Sequence, residues 1–122
     1  MRLLSIILIF NIATYANCYK VGNFKGVSAY KNDGYKISKD GISGRTFILH
    51  TGQNNASVSP SNIKCMALNN ISLVCLSDSG TGADIETWLI NGKKVQYTKS
   101  TTGNGQFDSV KLFIGDVIGK CK

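Results

Sequence analysis

The sequence predicts a mainly β fold: a small antiparallel β-barrel or sandwich of about seven strands with a short C-terminal helix, stapled by disulfides. Turn-forming residues interrupt the chain often, and the short runs between them are rich in apolar and β-branched residues. Strands separated in this way are typical of sandwiches and barrels. Four cysteines provide for two disulfides, and the residues near the C-terminus change from alternating to helical spacing.

The N-terminal segment, residues 1–16, is typical of a cleavable signal peptide. Arg2 gives it a positive start, the run from Leu3 to Ile12 is largely apolar, and the small residues Thr14 and Ala16 precede a cleavage site. Because this run is too short to span a bilayer, we expect no transmembrane anchor. Residues 17–122 then form a single β-rich domain that is exported to a periplasm or to the extracellular space.

The strands are predicted from runs that lie between clusters of Asn, Asp and Gly. These turn residues tolerate backbone conformations that other side chains avoid. The predicted strands lie near Lys25–Lys31, Gly34–Ser38, Thr46–Thr51, Ile63–Leu68, Ser72–Ser77, Ile85–Ile90 and Lys93–Lys99.

The best-specified element is the hairpin from Asp84 to Lys99. Asn91-Gly92 between two alternating runs predicts a two-residue type I′ turn, which places Trp88 opposite Val95. In this register Glu86 faces Tyr97 and accepts a hydrogen bond from its hydroxyl; the alternative is a carboxylate at the mouth of an apolar pocket. The core face of the hairpin carries Trp88, Ile90, Val95 and Tyr97.

A C-terminal helix is predicted from the apolar residues after Phe107. Asp108 or Ser109 can act as its N-cap, and Gly119 as its stop. The apolar positions at helical spacing are Val110, Phe113, Ile114, Val117 and Cys121.

The four cysteines predict the disulfides Cys65–Cys75 and Cys18–Cys121, although the other pairings stay open on sequence alone. An even turn between Cys65 and Cys75 would direct the two sulfurs to opposite faces of the hairpin. A five-residue loop over 68–72, or a bulge at Asn70, would bring them to one face. The cysteine spacing lacks the close pairs of a zinc site, so we expect no metal and no cofactor.

The positive charge indicates either a soluble surface on which lysine predominates or attraction to an anionic partner. The chain carries 14 Lys and Arg against 7 Asp and Glu, and loss of Arg2 with the signal peptide leaves 13 against 7, a net charge of +6. A basic exported protein attracts protein or envelope polymers of opposite charge. Export and paired cysteines disfavour a nucleic-acid partner, and we expect a monomer. The candidate binding lysines are Lys25, Lys31, Lys36 and Lys39.

The segment "SGRTF", Ser43 to Phe47, is similar to the Ser-Gly-x-x-aromatic loop of small periplasmic c-type lysozyme inhibitors, which are disulfide-bearing β-barrels. The resemblance covers these five residues and no other motif. It implies that Ser43 and Arg45 belong to a contact loop.

The sequence offers few candidate catalytic residues, because His50 is the sole histidine and no nucleophile motif accompanies it. We therefore predict no catalytic residue and a non-enzymatic binding module, either inhibitor-like, envelope-associated or a small secreted effector, acting through a basic surface. The alternative is a small secreted hydrolase of nuclease or muramidase type, centred on His50 or Glu86. A carboxylate within hydrogen-bond reach of His50, in a cleft, would favour the hydrolase.

Overall fold

The computed structural model describes residues 17–121. The predicted signal peptide, residues 1–16, and Lys122 lie outside the described residues. Two single-turn 3-10 helices, Lys31–Asp33 and Gly105–Phe107, interrupt an otherwise β chain. The strands are β1 Cys18–Tyr30, β2 Ile37–His50, β3 Ser57–Ser59, β4 Lys64–Asn69, β5 Ser72–Asp78, β6 Ala83–Asn91, β7 Lys94–Thr101 and β8 Ser109–Lys120.

All eight strands belong to one antiparallel sheet in the order β3-β2-β1-β8-β7-β6-β5-β4. The sheet curls so that β3 and β4, the strands at its two ends, approach each other and nearly close a barrel. The predicted disulfide-stapled β fold is therefore confirmed. One strand more than expected is present, because β3, which pairs with Ile48–His50, and β8 are additional while two predicted strands merge into β2.

The predicted C-terminal helix is wrong, because its residues form β8. This strand pairs with β1 on one side and with β7 on the other. Phe113 points into the barrel, while Leu112 and Ile114 lie on the outer face and are about half exposed. Apolar residues on both faces imitate helical spacing, and the β-branched content favours the strand. Asp108, predicted as an N-cap, accepts a hydrogen bond from the Asn104 amide in the preceding loop.

Two predicted strands merge into β2, which runs through the turn signal at Lys39-Asp40-Gly41. Asp40 pairs with Gly26, and Gly41 pairs with Lys25 on β1. Pairing along the length of β1 keeps this segment extended, so local turn preference is overridden by the sheet.

The barrel interior is built around aromatic side chains. Trp88 and Tyr97 stack with ring centroids 4.0 Å apart, and Phe24 meets both rings edge to face. Such offset and edge contacts are the favoured geometries of aromatic pairs. The predicted core face of the β6–β7 hairpin is confirmed, since Trp88, Ile90, Val95 and Tyr97 are all buried.

The register of that hairpin differs from the prediction by two residues. Asn91 pairs with Lys94, so the turn consists of Gly92 and Lys93. Gly92 has a φ of 62° at the first central position, as in a type II′ turn. Lys93 is held by β8, because its carbonyl accepts a hydrogen bond from the Val117 amide at 2.8 Å. A shift of two leaves every side chain on its predicted face but pairs Glu86 with Lys99 instead of Tyr97.

The structure contains both expected disulfides, Cys18–Cys121 and Cys65–Cys75. Cys65 lies directly opposite Cys75, because a register shift between Ala67 and Asn69 adds one residue to β4. The extra residue is Leu68 and not Asn70, which lies in the turn. The first bridge joins the start of β1 to the end of β8. Two disulfides are typical of an oxidising, exported environment.

We expect the long-range disulfide to contribute more stability than the local one. The bridges span 103 and 10 residues, which in the chain-entropy model correspond to about 5 and about 3 kcal/mol. Urea unfolding of Cys18→Ala/Cys121→Ala and of Cys65→Ala/Cys75→Ala measures both losses. An equal loss, or the reverse order, would contradict this account.

We also expect Gly115→Ala to destabilise the protein by about 1–3 kcal/mol through overpacking. A Cβ at Gly115 would lie 2.6 Å from two ring carbons of Phe24, whereas a Cβ at Gly119 in the same strand would meet open space. Gly119→Ala is therefore the matched control. Thermal melting of the two variants should separate them clearly; equal melting temperatures would mean that Phe24 moves freely.

Candidate functional site

The six predicted binding residues lie on the β1–β2 hairpin and are exposed. Lys25 lies on the outer face of β1, and Lys39 on β2 is its diagonal neighbour, because Lys25 pairs with Gly41 and Lys39 pairs with Val27. Lys31 and Lys36 occupy the connection between the strands, at the far end of the hairpin. The structure thus gathers the predicted residues on one element but spreads them along its length.

The segment Ser43-Gly44-Arg45 forms a bulge in β2. Gly22 pairs with Thr46 and Phe24 pairs with Ile42, so the single residue Asn23 faces all three. Asn23 and Gly44 both have positive φ, 59° and 70°. This backbone conformation allows the pairing between β1 and β2 to stop at the bulge and to resume after it. Bulges of this kind reorient side chains and often lie beside binding sites.

An open groove of about 730 Å³ lies against this bulge. Lys94 ion-pairs with Asp116 at 2.7 Å, and Asn23 donates a hydrogen bond to the same carboxylate at 3.2 Å. The hydrogen bonds from Lys94 and Asn23 lower the pKa of Asp116 and keep it charged. Lys25 and Ser43 also line this groove, but Lys31, Lys36, Lys39 and Arg45 do not.

A second cavity, of about 280 Å³, opens at one mouth of the barrel. It is called the cup below. Apolar and aromatic side chains form its walls, and charged side chains lie among them. The lining residues are Ile42, Arg45, Phe47, Val58, Ser61, Glu86, Trp88, Tyr97, Lys99, Lys111 and Phe113.

Glu86 is the buried carboxylate of the cup, with 6% of its surface exposed. It accepts a hydrogen bond from the Trp88 indole at 3.2 Å and lies 3.6 Å from the Lys99 ammonium. Burial raises the pKa of Glu86, although the positive charge of Lys99 opposes the shift. Burial and the neighbouring Glu86 charge also raise the pKa of Tyr97. Glu86 is thus held by Trp88 and Lys99, and the predicted hydrogen bond from the Tyr97 hydroxyl is not formed within residues 17–121.

Sequence reasoning missed Lys99 and Lys111 as cup residues. Lys99 bridges Glu86 and Asp84, at 3.6 and 3.7 Å. The predicted register already places Lys99 opposite Asp84, and the observed register pairs it with Glu86. The predicted C-terminal helix includes Lys111 and gives no reason to direct its side chain into the barrel. In β8 it points to the barrel mouth and lies over the ring of Tyr30, 5.3 Å from its centroid.

His50 lies away from both cavities, at the end of β2. Its Nε2 is 3.9 Å from the sulfur of Cys18. Across residues 17–121, no carboxylate forms a hydrogen bond or ion pair with this ring. The geometry therefore supplies no acid–base pair at His50 for a hydrolase.

The His, Cys, Asp and Glu side chains of residues 17–121 do not gather into a group that could hold a metal ion. Over the same residues, no helix has the length and apolar character needed to cross a membrane. Comparisons with protein-family models, with curated proteins and with solved structures yield no match.

We expect Glu86→Gln to become relatively more stabilising as the pH rises. A raised pKa means that the folded protein binds more protons than the unfolded chain above the ordinary value of 4.5. Wild-type stability therefore falls through that window, while glutamine does not titrate and still accepts the Trp88 hydrogen bond.

Melting temperatures of both proteins, measured from below pH 4.5 to neutrality, test this expectation. The melting temperature of the variant minus that of the wild type should increase from pH 4.5 toward neutrality. A difference that stays constant or decreases would show that Lys99 outweighs the cost of burying the carboxylate.

Proposed function

We propose that the protein is an exported, non-enzymatic binding module that recognises an acidic protein partner through the β1–β2 hairpin. The observation that carries the proposal is the bulged, open edge of β2. β3 pairs only with Ile48–His50, so among the described strands the part of β2 from Ile37 to Phe47 has a neighbour on one side only. Unpaired strand edges are ready templates for an added strand.

Charge on this edge selects the partner. Lys25 and Lys39 are diagonal neighbours on the outer face of the hairpin, and both are exposed. An extended acidic segment can pair with the β2 backbone and place carboxylates beside these cations, which favours fast and specific association. The lysines of the hairpin also act as edge protection, since charge on an exposed edge discourages pairing between copies and is consistent with a monomer.

The bulge gives the edge a shape as well as a charge. Gly44 has open space where a side chain would stand, and the groove of Lys25 and Ser43 lies beside it. This is the segment that resembles the loop of periplasmic lysozyme inhibitors. The exposed bulge supports an inhibitor-like mode, in which a projecting loop enters a cleft of the partner.

Export to a periplasm or to the extracellular space belongs to the same proposal. The sequence of residues 1–16 is its support, together with the oxidising environment that the two disulfides indicate. In that setting an envelope protein or a host extracellular protein is the expected partner, and an anionic envelope polymer is the competing ligand.

Affinity capture with the chain from residue 17 onward, at low and high salt, tests the proposal. We expect a discrete protein to be retained at high salt and Lys39→Glu to weaken its binding by about tenfold or more, because like charges are then juxtaposed. Lys64→Glu is the matched control, since Lys64 is likewise exposed on a strand, in β4 at the other end of the sheet.

Two outcomes would overturn the proposal. Capture of polyanions only, lost as salt rises, would mean that net charge is the binding determinant. An equal effect of Lys39→Glu and Lys64→Glu would mean that the partner does not contact the hairpin.

A further inference from the structure

Apolar side chains cover much of the outer surface of the sheet on strands β2, β1 and β8. Residues paired across an antiparallel sheet point to the same side of it, so the register fixes which side chains are neighbours. Phe113 points into the barrel, and Leu112 and Ile114 on either side of it therefore point outward. From β2 through β1 to β8, the three rows of outward partners are Ile37, Ala29 and Val110; Lys39, Val27 and Leu112; and Gly41, Lys25 and Ile114.

The six apolar residues of these rows are called the apolar face below. Ile37 has 71% of its surface exposed, Val110 and Leu112 each have 52%, and Ile114 has 44%. Single apolar side chains scattered over a protein surface are ordinary, but a contiguous group marks a site of contact with a protein or a membrane. The apolar face is therefore a candidate docking surface, and it goes beyond the function proposed above.

Two exposed aromatic residues lie at one end of this face. Tyr35 is in the connection between β1 and β2, and Phe107 is in the loop before β8. The two loops are joined, because the Lys31 amide donates a hydrogen bond to the Asp108 carbonyl at 2.9 Å. Tyr35 has a φ of 61°, which side chains of its size rarely adopt. Backbone strain of this kind is concentrated at functional sites.

The charge on the apolar face is cationic. Lys25 and Lys39 are the charged residues of the three rows, which contain no carboxylate. Within residues 17–121 neither ammonium group forms an ion pair. Lys31 and Lys36 lie at the aromatic end, where Asp33 opposes them in part. The face therefore complements a surface that is apolar inside and anionic at its border.

An anionic lipid surface fits this combination better than a second copy of the chain does. A lysine within an apolar face can lay its methylene stem along its neighbours and extend its ammonium group to lipid phosphates. A second copy would present the same cations, so a self-complementary contact would bring like charges together. Ile37, Val110 and Leu112 lie outside the linings of the groove and the cup, so they form no pocket for a single side chain there.

We propose that the apolar face docks on the surface of an anionic lipid bilayer. The aliphatic side chains of β1 and β8 enter the boundary between headgroups and acyl chains, and Tyr35 and Phe107 lie at the level of the headgroups, where aromatic residues are favoured. Lys25 and Lys39 contact the lipid phosphates. Docking is peripheral and reversible, because it combines a small apolar area with few cations.

Sedimentation of the chain from residue 17 onward with lipid vesicles tests the proposal. One vesicle preparation contains equal parts of phosphatidylcholine and phosphatidylglycerol, and the other contains phosphatidylcholine alone. We expect saturable binding to the mixed vesicles and about tenfold weaker or no binding to the neutral ones, because several lysines act together near an anionic surface.

Variants locate the contact. Leu112→Ser should weaken binding to the mixed vesicles about five- to tenfold, because an apolar side chain no longer enters the bilayer. Leu76→Ser is the matched control, since Leu76 points outward from β5 with 44% of its surface exposed, and its effect should stay below about twofold. Lys25→Gln should cost about fivefold, whereas Lys64→Gln, on β4, should cost less than about twofold. Superimposable circular dichroism spectra confirm that each variant is folded.

Three results would overturn the inference: equal binding to both kinds of vesicle, equal losses in Leu112→Ser and Leu76→Ser, or no saturable binding at lipid concentrations up to roughly 5 mM. Loss of a captured protein in Leu112→Ser, without vesicle binding by the unaltered chain, would assign the face to a protein partner instead. Leu112 lies outside the β1–β2 hairpin, so its variant and Lys39→Glu distinguish failure of this inference from failure of the hairpin proposal.

Discussion

The contact of Phe24 with Trp88 and Tyr97 is the interaction on which the rest of the barrel depends. One ring comes from β1 and two come from the β6–β7 hairpin, which is distant from β1 in sequence, and they meet inside the curled sheet. Gly115 on β8 lies against the Phe24 ring, and the backbone around Gly26 on β1 passes close to Phe113. A larger residue at either glycine would force neighbouring strands apart, because protein interiors have little free volume.

Alternation along the strands explains how much of this could be predicted. The core face of the β6–β7 hairpin follows from the alternation of side chains along each strand. This prediction remains correct despite the register error, because a shift of two residues keeps each side chain on the same face. The position of Cys65 opposite Cys75 follows from the same parity, because a disulfide requires both sulfurs on one face. Alternation does not determine which residue lies opposite on the neighbouring strand. The predicted partner of Glu86, Tyr97, was therefore wrong, and the observed partner is Lys99.

The errors arise where tertiary pairing outweighs local preference. Residues 39–41 form a good turn signal, but β1 pairs along their whole length and holds them extended. Residues 109–120 have apolar side chains on both faces, a pattern shared by helices and by strands with an apolar outer face. Lys111 shows the consequence for the site: a helix assignment hides a cation that the strand places at the cup.

The two candidate surfaces meet at the β2 bulge. Ile42 lines both the groove and the cup, and the next residues divide between them, since Ser43 and Gly44 face the groove while Arg45 faces the cup. A regular strand would alternate these side chains strictly, so the additional residues of the bulge are what allow one short segment to serve both sides of the sheet.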